Sequence, residues 1–236
     1  VTPSLSDRFG LGERELVAIV GAGGKSTILL LLGAELAERR AMVVVTTTTM
    51  MAEDQVTRPI CGSAAPAAVD AVLSPGVPLM VVTGKVPGKV TGPDAHDVDR
   101  LFTETSADYV LVEADGARSN AVKAPGPHEP AIPALSTTVI VVVSVRSIGE
   151  TPGTVAHRPD RVASLAGIAV DDPLSVDAVA RVLLAPDGGR KNVPERANLR
   201  FAVTRVTPDT AETAEELATL LARSPGVGGV VLLPEI

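Results

Sequence analysis

The sequence predicts an α/β fold: a mostly parallel sheet with helices on both faces. A short apolar run, Leu16 to Val20, leads into a glycine-rich turn and then a helical stretch reaching Arg40. Further apolar, β-branched runs recur at 41–45, 79–83, 109–112, 137–145, 201–204 and 230–233. Helical patterns separate most of them, an alternation that builds a parallel sheet. One run closes on acidic residues, Glu113 and Asp115, as a metal-bearing strand end does.

In chain order, residues 1–14 are polar, with Pro3 and Gly10, and read as a lead-in or a short helix. The strand then enters Gly21-Ala22-Gly23-Gly24-Lys25-Ser26-Thr27. Glycines let backbone N–H groups converge on an anion, and the following helix N-terminus adds partial positive charge. Lys25 is expected to reach the terminal phosphates and Ser26 to hold Mg²⁺. The full pattern would need a glycine at Ile19, so this is the shorter Gly-x-x-Gly-Lys-Ser form. That form resembles the ATP loop of Mur ligases and folylpolyglutamate synthetases. A dinucleotide fingerprint also begins Gly-x-Gly, but its third glycine position here is Ser26. The next strand also ends in threonines rather than an acid that would hold a ribose. The mononucleotide reading leads, and with it a P-loop NTPase-like three-layer sandwich.

Ala41 to Val45 runs into Thr46-Thr47-Thr48-Thr49, a strand whose carboxyl end carries a row of hydroxyls on the edge of the phosphate loop. Thr47 is a candidate for the nucleotide. A short helix is expected at Ala67 to Leu73, a strand at Leu79 to Thr83, and a turn-rich loop at 84–92 with Lys85 and Lys89. Asp94 to Glu104 reads as a helix capped near Asp94 or Thr91. Tyr109 to Val112 followed by Glu113-Ala114-Asp115-Gly116 has the Walker B arrangement, with Asp115 as metal ligand and Glu113 as second ligand or base. Pro125, Pro127, Pro130 and Pro133 then forbid a helix and shape a stiff loop carrying His128 and Glu129, each a candidate acid, base or ligand. Helices are expected at Asp160 to Ala166, Ser175 to Leu184 and Thr210 to Ala222. Residues 1–236 read as one nucleotide-binding domain, with 157–190 as a helical elaboration.

Composition narrows the function classes. Hydrophobic residues make up 45% of the chain but aromatics only 2%, so the core is aliphatic and stacking platforms for single-stranded nucleic acid are missing. A net charge of −7 argues against nucleic acid and anionic membrane as partners. Cys61 is the single cysteine, which excludes an internal disulfide and thiolate-rich metal sites. No apolar segment is long enough to span a bilayer, and nothing near Val1 looks like a signal peptide, so a cytoplasmic protein is expected. The five lysines, Lys25, Lys85, Lys89, Lys123 and Lys191, all fall in stretches read as loops. Compact cations so placed are expected to gather around an anionic ligand at the strand-end edge of the sheet.

Along nearly its whole length the chain resembles the YqeC-type proteins, described as accessory proteins of selenium-dependent molybdenum hydroxylases. The resemblance rests on Val20 to Thr27, Val45 to Thr49, the Gly-Lys loop at 84–92, and Leu111 to Ala117 with Lys123-Ala124-Pro125 and His128-Glu129-Pro130. His157-Arg158 and Lys191 to Pro194 extend it, while Ala121-Val122 stands where the family has Pro-Leu. It implies a P-loop-type protein in maturation of a molybdenum hydroxylase or its selenium-containing cofactor.

The leading expectation is therefore an ATP-dependent, Mg²⁺-dependent accessory enzyme, by NTP hydrolysis or phosphoryl or nucleotidyl transfer. Gly23, Gly24 and Lys25 would cradle phosphates, Ser26 and Asp115 hold the metal, and Glu113 or His128 activate water or substrate. Lys89, Lys123 and Arg158 would bind a small anionic second substrate or the molybdenum cofactor. One alternative is a nucleotide-gated chaperone or carrier of the apo-hydroxylase with little turnover. Another is a Rossmann-type enzyme using NAD(P).

Overall fold

The structure is a computed structural model that describes residues 3–117 and 120–235. It opens with α1 (Leu5–Phe9), capped by the Ser4 hydroxyl and ended by Gly10 in the left-handed region at φ 63°. Then come β1 (Glu15–Gly21), α2 (Lys25–Glu38) and β2 (Val43–Thr47). The next stretch holds β3 (Met50–Ala52), β4 (Ile60–Cys61), α3 (Pro66–Asp70) and β5 (Leu79–Val81). A hairpin of β6 (Gly84–Val86) and β7 (Lys89–Thr91) precedes α4 (Ala95–Glu104) and β8 (Tyr109–Glu113). The second half runs β9 (Val122–Lys123), β10 (Thr138–Ser144), α5 (Pro152–Val155), β11 (Ala156–His157), α6 (Pro159–Ala166) and α7 (Val176–Leu184). It closes with β12 (Asn198–Val206), α8 (Ala211–Ala222) and β13 (Val227–Pro234).

Eight strands form one sheet in the order β13-β12-β10-β1-β8-β2-β5-β4. Every pairing within it is parallel, as the β-branched, two-sided apolar runs require. Helices cover both faces. Ile28, Leu29, Leu32 and Leu36 of α2 pack with Phe9 against Val17, Ile19, Val45 and Val142. On the other face α3, α4, α6, α7 and α8 pack over Ala18, Val20, Val112 and Val141. Val162, Ala166, Val179 and Val182 thus place the helices of 157–190 in the same core as the sheet.

The chain leaves β1 towards β2 on one side and later crosses from β8 to β10 on the other. The carboxyl ends of β1, β8 and β10 therefore frame a crevice, the place where open parallel sheets take ligands. The sheet margins differ. β4 is two residues long, while β13 is eight, with the Arg8 guanidinium donating to the Leu232 carbonyl.

Local detail departs from the sequence reading in several places. The stretch 84–92 is a hairpin, paired through β7 to β3 as a separate three-stranded antiparallel sheet. Gly92 presses that sheet onto β2 so closely that a Cβ would meet the Thr47 carbonyl at 1.8 Å. Gly149 to Val155 contains α5, and β9 pairs with β11. Pairs this short have no pattern of their own; distant backbone supplies them. The lysines are not all in loops: Lys25 opens α2, and Lys85, Lys89 and Lys123 lie on short strands.

Candidate functional site

The glycine loop is a backbone construction. Gly21, Gly23 and Gly24 have φ of 90°, 90° and 128°, values that L side chains rarely adopt. A Cβ on Gly21 would lie 2.3 Å from the Val142 carbonyl oxygen, and one on Gly23 2.8 Å from Ser144 N. The loop is thus wedged against the end of β10, and buried Ala22 donates its N–H to the Val142 carbonyl at 2.8 Å. Lys25 and Ser26 occupy the first turn of α2, where the N–H groups of a helix start and its partial positive charge favour an anion.

The strand register carries the acidic residues to this turn. Glu113 pairs with Ile19 of β1 on one side and Thr47 of β2 on the other. Its buried carboxylate accepts the Ser26 hydroxyl at 2.6 Å and stands 3.7 Å from the Lys25 ammonium. Asp115 accepts Gly21 N–H at 3.2 Å and is ion-paired with Lys123. Both members of that second pair are buried, with side chains 1% exposed. Lys123 also pairs with Glu129 at 2.6 Å, and Glu129 receives a two-pronged Arg158 contact at 2.8 and 2.9 Å. Burial lowers the Lys25 pKa against the opposing pull of Glu113 and Asp115. Burial likewise raises that of Asp115 against Lys123. For Glu129 burial is outweighed by Arg158 and Lys123, which hold its carboxyl at about 2.

The sequence-predicted residues divide into two groups. Gly21 to Thr27, Glu113 and Asp115 converge on the crevice, with Thr27 exposed at its rim. Thr47 is buried and spends its hydroxyl on the Glu113 carbonyl at 2.9 Å, so it supports the acidic residue from behind. Lys123 and Arg158 are neutralised by carboxylates rather than open to an incoming anion. Lys89 is exposed on β7, and Lys85 pairs with Glu53, so these two stand on the hairpin with the small sheet. His128 is exposed on the proline loop. Lys191 donates to the carbonyls of Gly126 and Pro127, and Asn192 Nδ2 to that of Pro130 at 2.9 Å, which fastens that loop.

Sequence reasoning passed over Thr204. It lies near the end of β12, two residues before the strand closes at Val206, and its hydroxyl donates to the Gly23 carbonyl. The available signal was a threonine closing a β-branched strand. The oxygen donors Ser26 and Glu113 suit a hard cation such as Mg²⁺. Among the described residues no group of three His, Cys, Asp or Glu could hold a metal unaided, so phosphate oxygens and water would complete its shell. No helix among them is long and apolar enough to cross a membrane.

Comparison with known proteins gives two findings. The family described as "YqeC protein" matches residues 17–160, a span that contains the glycine loop, β8 and the proline loop. The uncharacterized protein YqeC of Escherichia coli (strain K12) is 33% identical over 193 residues, covering 80% of this chain and 75% of that one.

Proposed function

The chain belongs to the YqeC family, and from that premise we propose that it binds a nucleotide, ATP, together with Mg²⁺ in the crevice at the start of α2. One observation carries the reading: the Glu113 carboxylate, the Ser26 hydroxyl and the Lys25 ammonium meet beneath a glycine loop at a helix N-terminus. In this reading the N–H groups of Gly23, Gly24 and Lys25 receive the phosphates. Lys25 leaves Glu113 to neutralise them, and Ser26 with Glu113 provides the protein's ligands to the metal, which would polarise the phosphoryl group. Asp115, held by Gly21 N–H and Lys123, is the carboxylate behind them that fixes the loop.

The reaction class we propose is NTP hydrolysis or phosphoryl or nucleotidyl transfer in the maturation of a molybdenum hydroxylase or its selenium-containing cofactor, in the cytoplasm. The family resemblance supports the biological setting, and the crevice supports the chemistry. A second reading, a nucleotide-gated carrier with little turnover, draws on the engagement of Lys123 and Arg158 with carboxylates, which leaves the anionic partner to be held elsewhere.

Thermal unfolding with ATP and Mg²⁺ tests the core of the proposal. Nucleotide at a hundredfold excess over its dissociation constant stabilises a protein by about 2.7 kcal/mol. Lys25→Ala should abolish that shift; an unchanged shift in the variant, or a larger one with NAD(P), overturns the assignment. Phosphate release by the purified protein separates turnover from gated binding.

A further inference from the structure

Beside the glycine loop, on the α2 face of the sheet, lies a cavity of about 120 Å³ lined by Gly23, Thr27, Ile28, Thr204, Arg205 and the end of β13 at Leu233 to Glu235. Its origin is a flaw in the ladder. From Arg200 and Gly229 to Val203 and Leu232, β12 and β13 run in register, then shift, resuming at Val206 and Pro234. Thr204 and Arg205 have no partner on β13 in that shift, although Thr204 still pairs with Ser144 of β10, and Arg205 sits in the left-handed region at φ 59°. A non-glycine residue held there costs free energy, and such bulges and strained residues collect where a side chain must be re-aimed beside a site. The shift falls beside the glycine loop, where the Thr204 hydroxyl reaches the Gly23 carbonyl.

The lining has a definite chemistry. Ile28 and Leu233 are apolar walls, and exposed Arg205 supplies a planar cation that stacks on an aromatic face. Pro234 has no N–H, so at that position the backbone offers only its carbonyl. The Glu235 carboxylate pairs with Arg146 through Oε2 at 2.6 Å, while its Oε1 has no hydrogen-bond partner among the described residues. Drug-sized ligands need cavities of about 300 Å³ or more, so this one suits a single heterocycle entering from the loop.

We propose that this cavity takes the base of the nucleotide and selects an aminopurine, with Arg205 stacked on the ring and Glu235 accepting the exocyclic amine. The proposal rests on the phosphate assignment above. Its test is built to fail separately: Mg²⁺ complexes of ATP, GTP, ITP and inorganic tripolyphosphate are titrated into the full chain. ITP keeps the purine but lacks the amine. The tighter of ATP and GTP should exceed ITP about tenfold, the effect of one hydrogen bond to a charged acceptor. Which of the two binds better then names the base. Glu235→Ala should bring that ratio close to one, and Arg205→Ala should weaken the preferred nucleotide about tenfold or more, while tripolyphosphate affinity stays constant in both. Arg205→Gly, which relieves the backbone, should raise the melting temperature and still lose nucleotide affinity. If ATP, GTP, ITP and tripolyphosphate bind within about twofold of one another, the cavity does not read the base and the inference falls while the phosphate loop stands. If none of the four binds, both fall together.

Discussion

At the scale of single residues, the buried charges set the strongest expectations. Lys123 faces Asp115 and the Gly116 carbonyl just after β8, and Glu129 of the proline loop. Lys123→Met removes the cation bonded to buried Asp115 and leaves it only the longer-range pull of Lys25, a change that costs about 3–5 kcal/mol. Urea unfolding of the variant checks it, and a loss below about 1 kcal/mol would show that solvent already reaches Asp115. Glu129 gives a prediction in pH. Its carboxyl is held at about 2, below the ordinary 4.5, by Arg158 and Lys123. A depressed acid contributes stability that is complete above its unfolded value and is lost as pH falls through the folded one. The stability difference between the wild type and Glu129→Gln should therefore be constant above about pH 4.5 and shrink towards pH 2. Melting curves across that range measure it, and a gap that widens towards acid contradicts the assignment.

At the scale of elements, the glycine loop is wedged against β10 and α4 is fixed by its cap. Gly21→Ala puts a Cβ within 2.3 Å of a backbone oxygen at φ 90°, where no side chain can give way. It should cost more than about 2 kcal/mol and take nucleotide binding with it. Asp94 caps α4 by accepting the Asp97 N–H at 2.8 Å, so Asp94→Ala should cost about 1 kcal/mol without touching the crevice. Both elements were legible in the sequence, since glycine spacing and a capping acid are local signals. The eight long or buried strands announced themselves less evenly. β1, β2, β5, β8, β10 and β13 carry runs rich in valine, leucine and isoleucine and β12 carries Phe201-Ala202-Val203, whereas Ile60–Cys61 is too brief to show a period. The hairpin at 84–91 hid behind its glycines and lysines, because its stability comes from β3 and from Gly92 against Thr47.

At the scale of the whole molecule, one sheet carries both helical layers, and the helices of 157–190 share its core. Calorimetry should accordingly give one cooperative transition, with the calorimetric enthalpy matching the van't Hoff value. The candidate site was legible as a set of residue types, but its division of labour was not. Sequence spacing puts Glu113 and Asp115 two apart on a strand, and the strand stops at Glu113, so Asp115 turns to Gly21 and Lys123. Likewise Lys123 and Arg158, two of the cations expected for a second anion, share Glu129 of the proline loop, which sequence order alone does not reveal. The unequal margins of the sheet have a consequence for crowded solutions. A strand row with free carbonyls is a template on which further copies can add, and natural sheets guard it with shortness or with basic side chains. Here one margin is guarded by the two-residue β4 and the other by Arg8 upon Leu232. Stripping the second guard with Arg8→Ala should let partly warmed protein scatter light sooner, as edges recruit one another into aggregates.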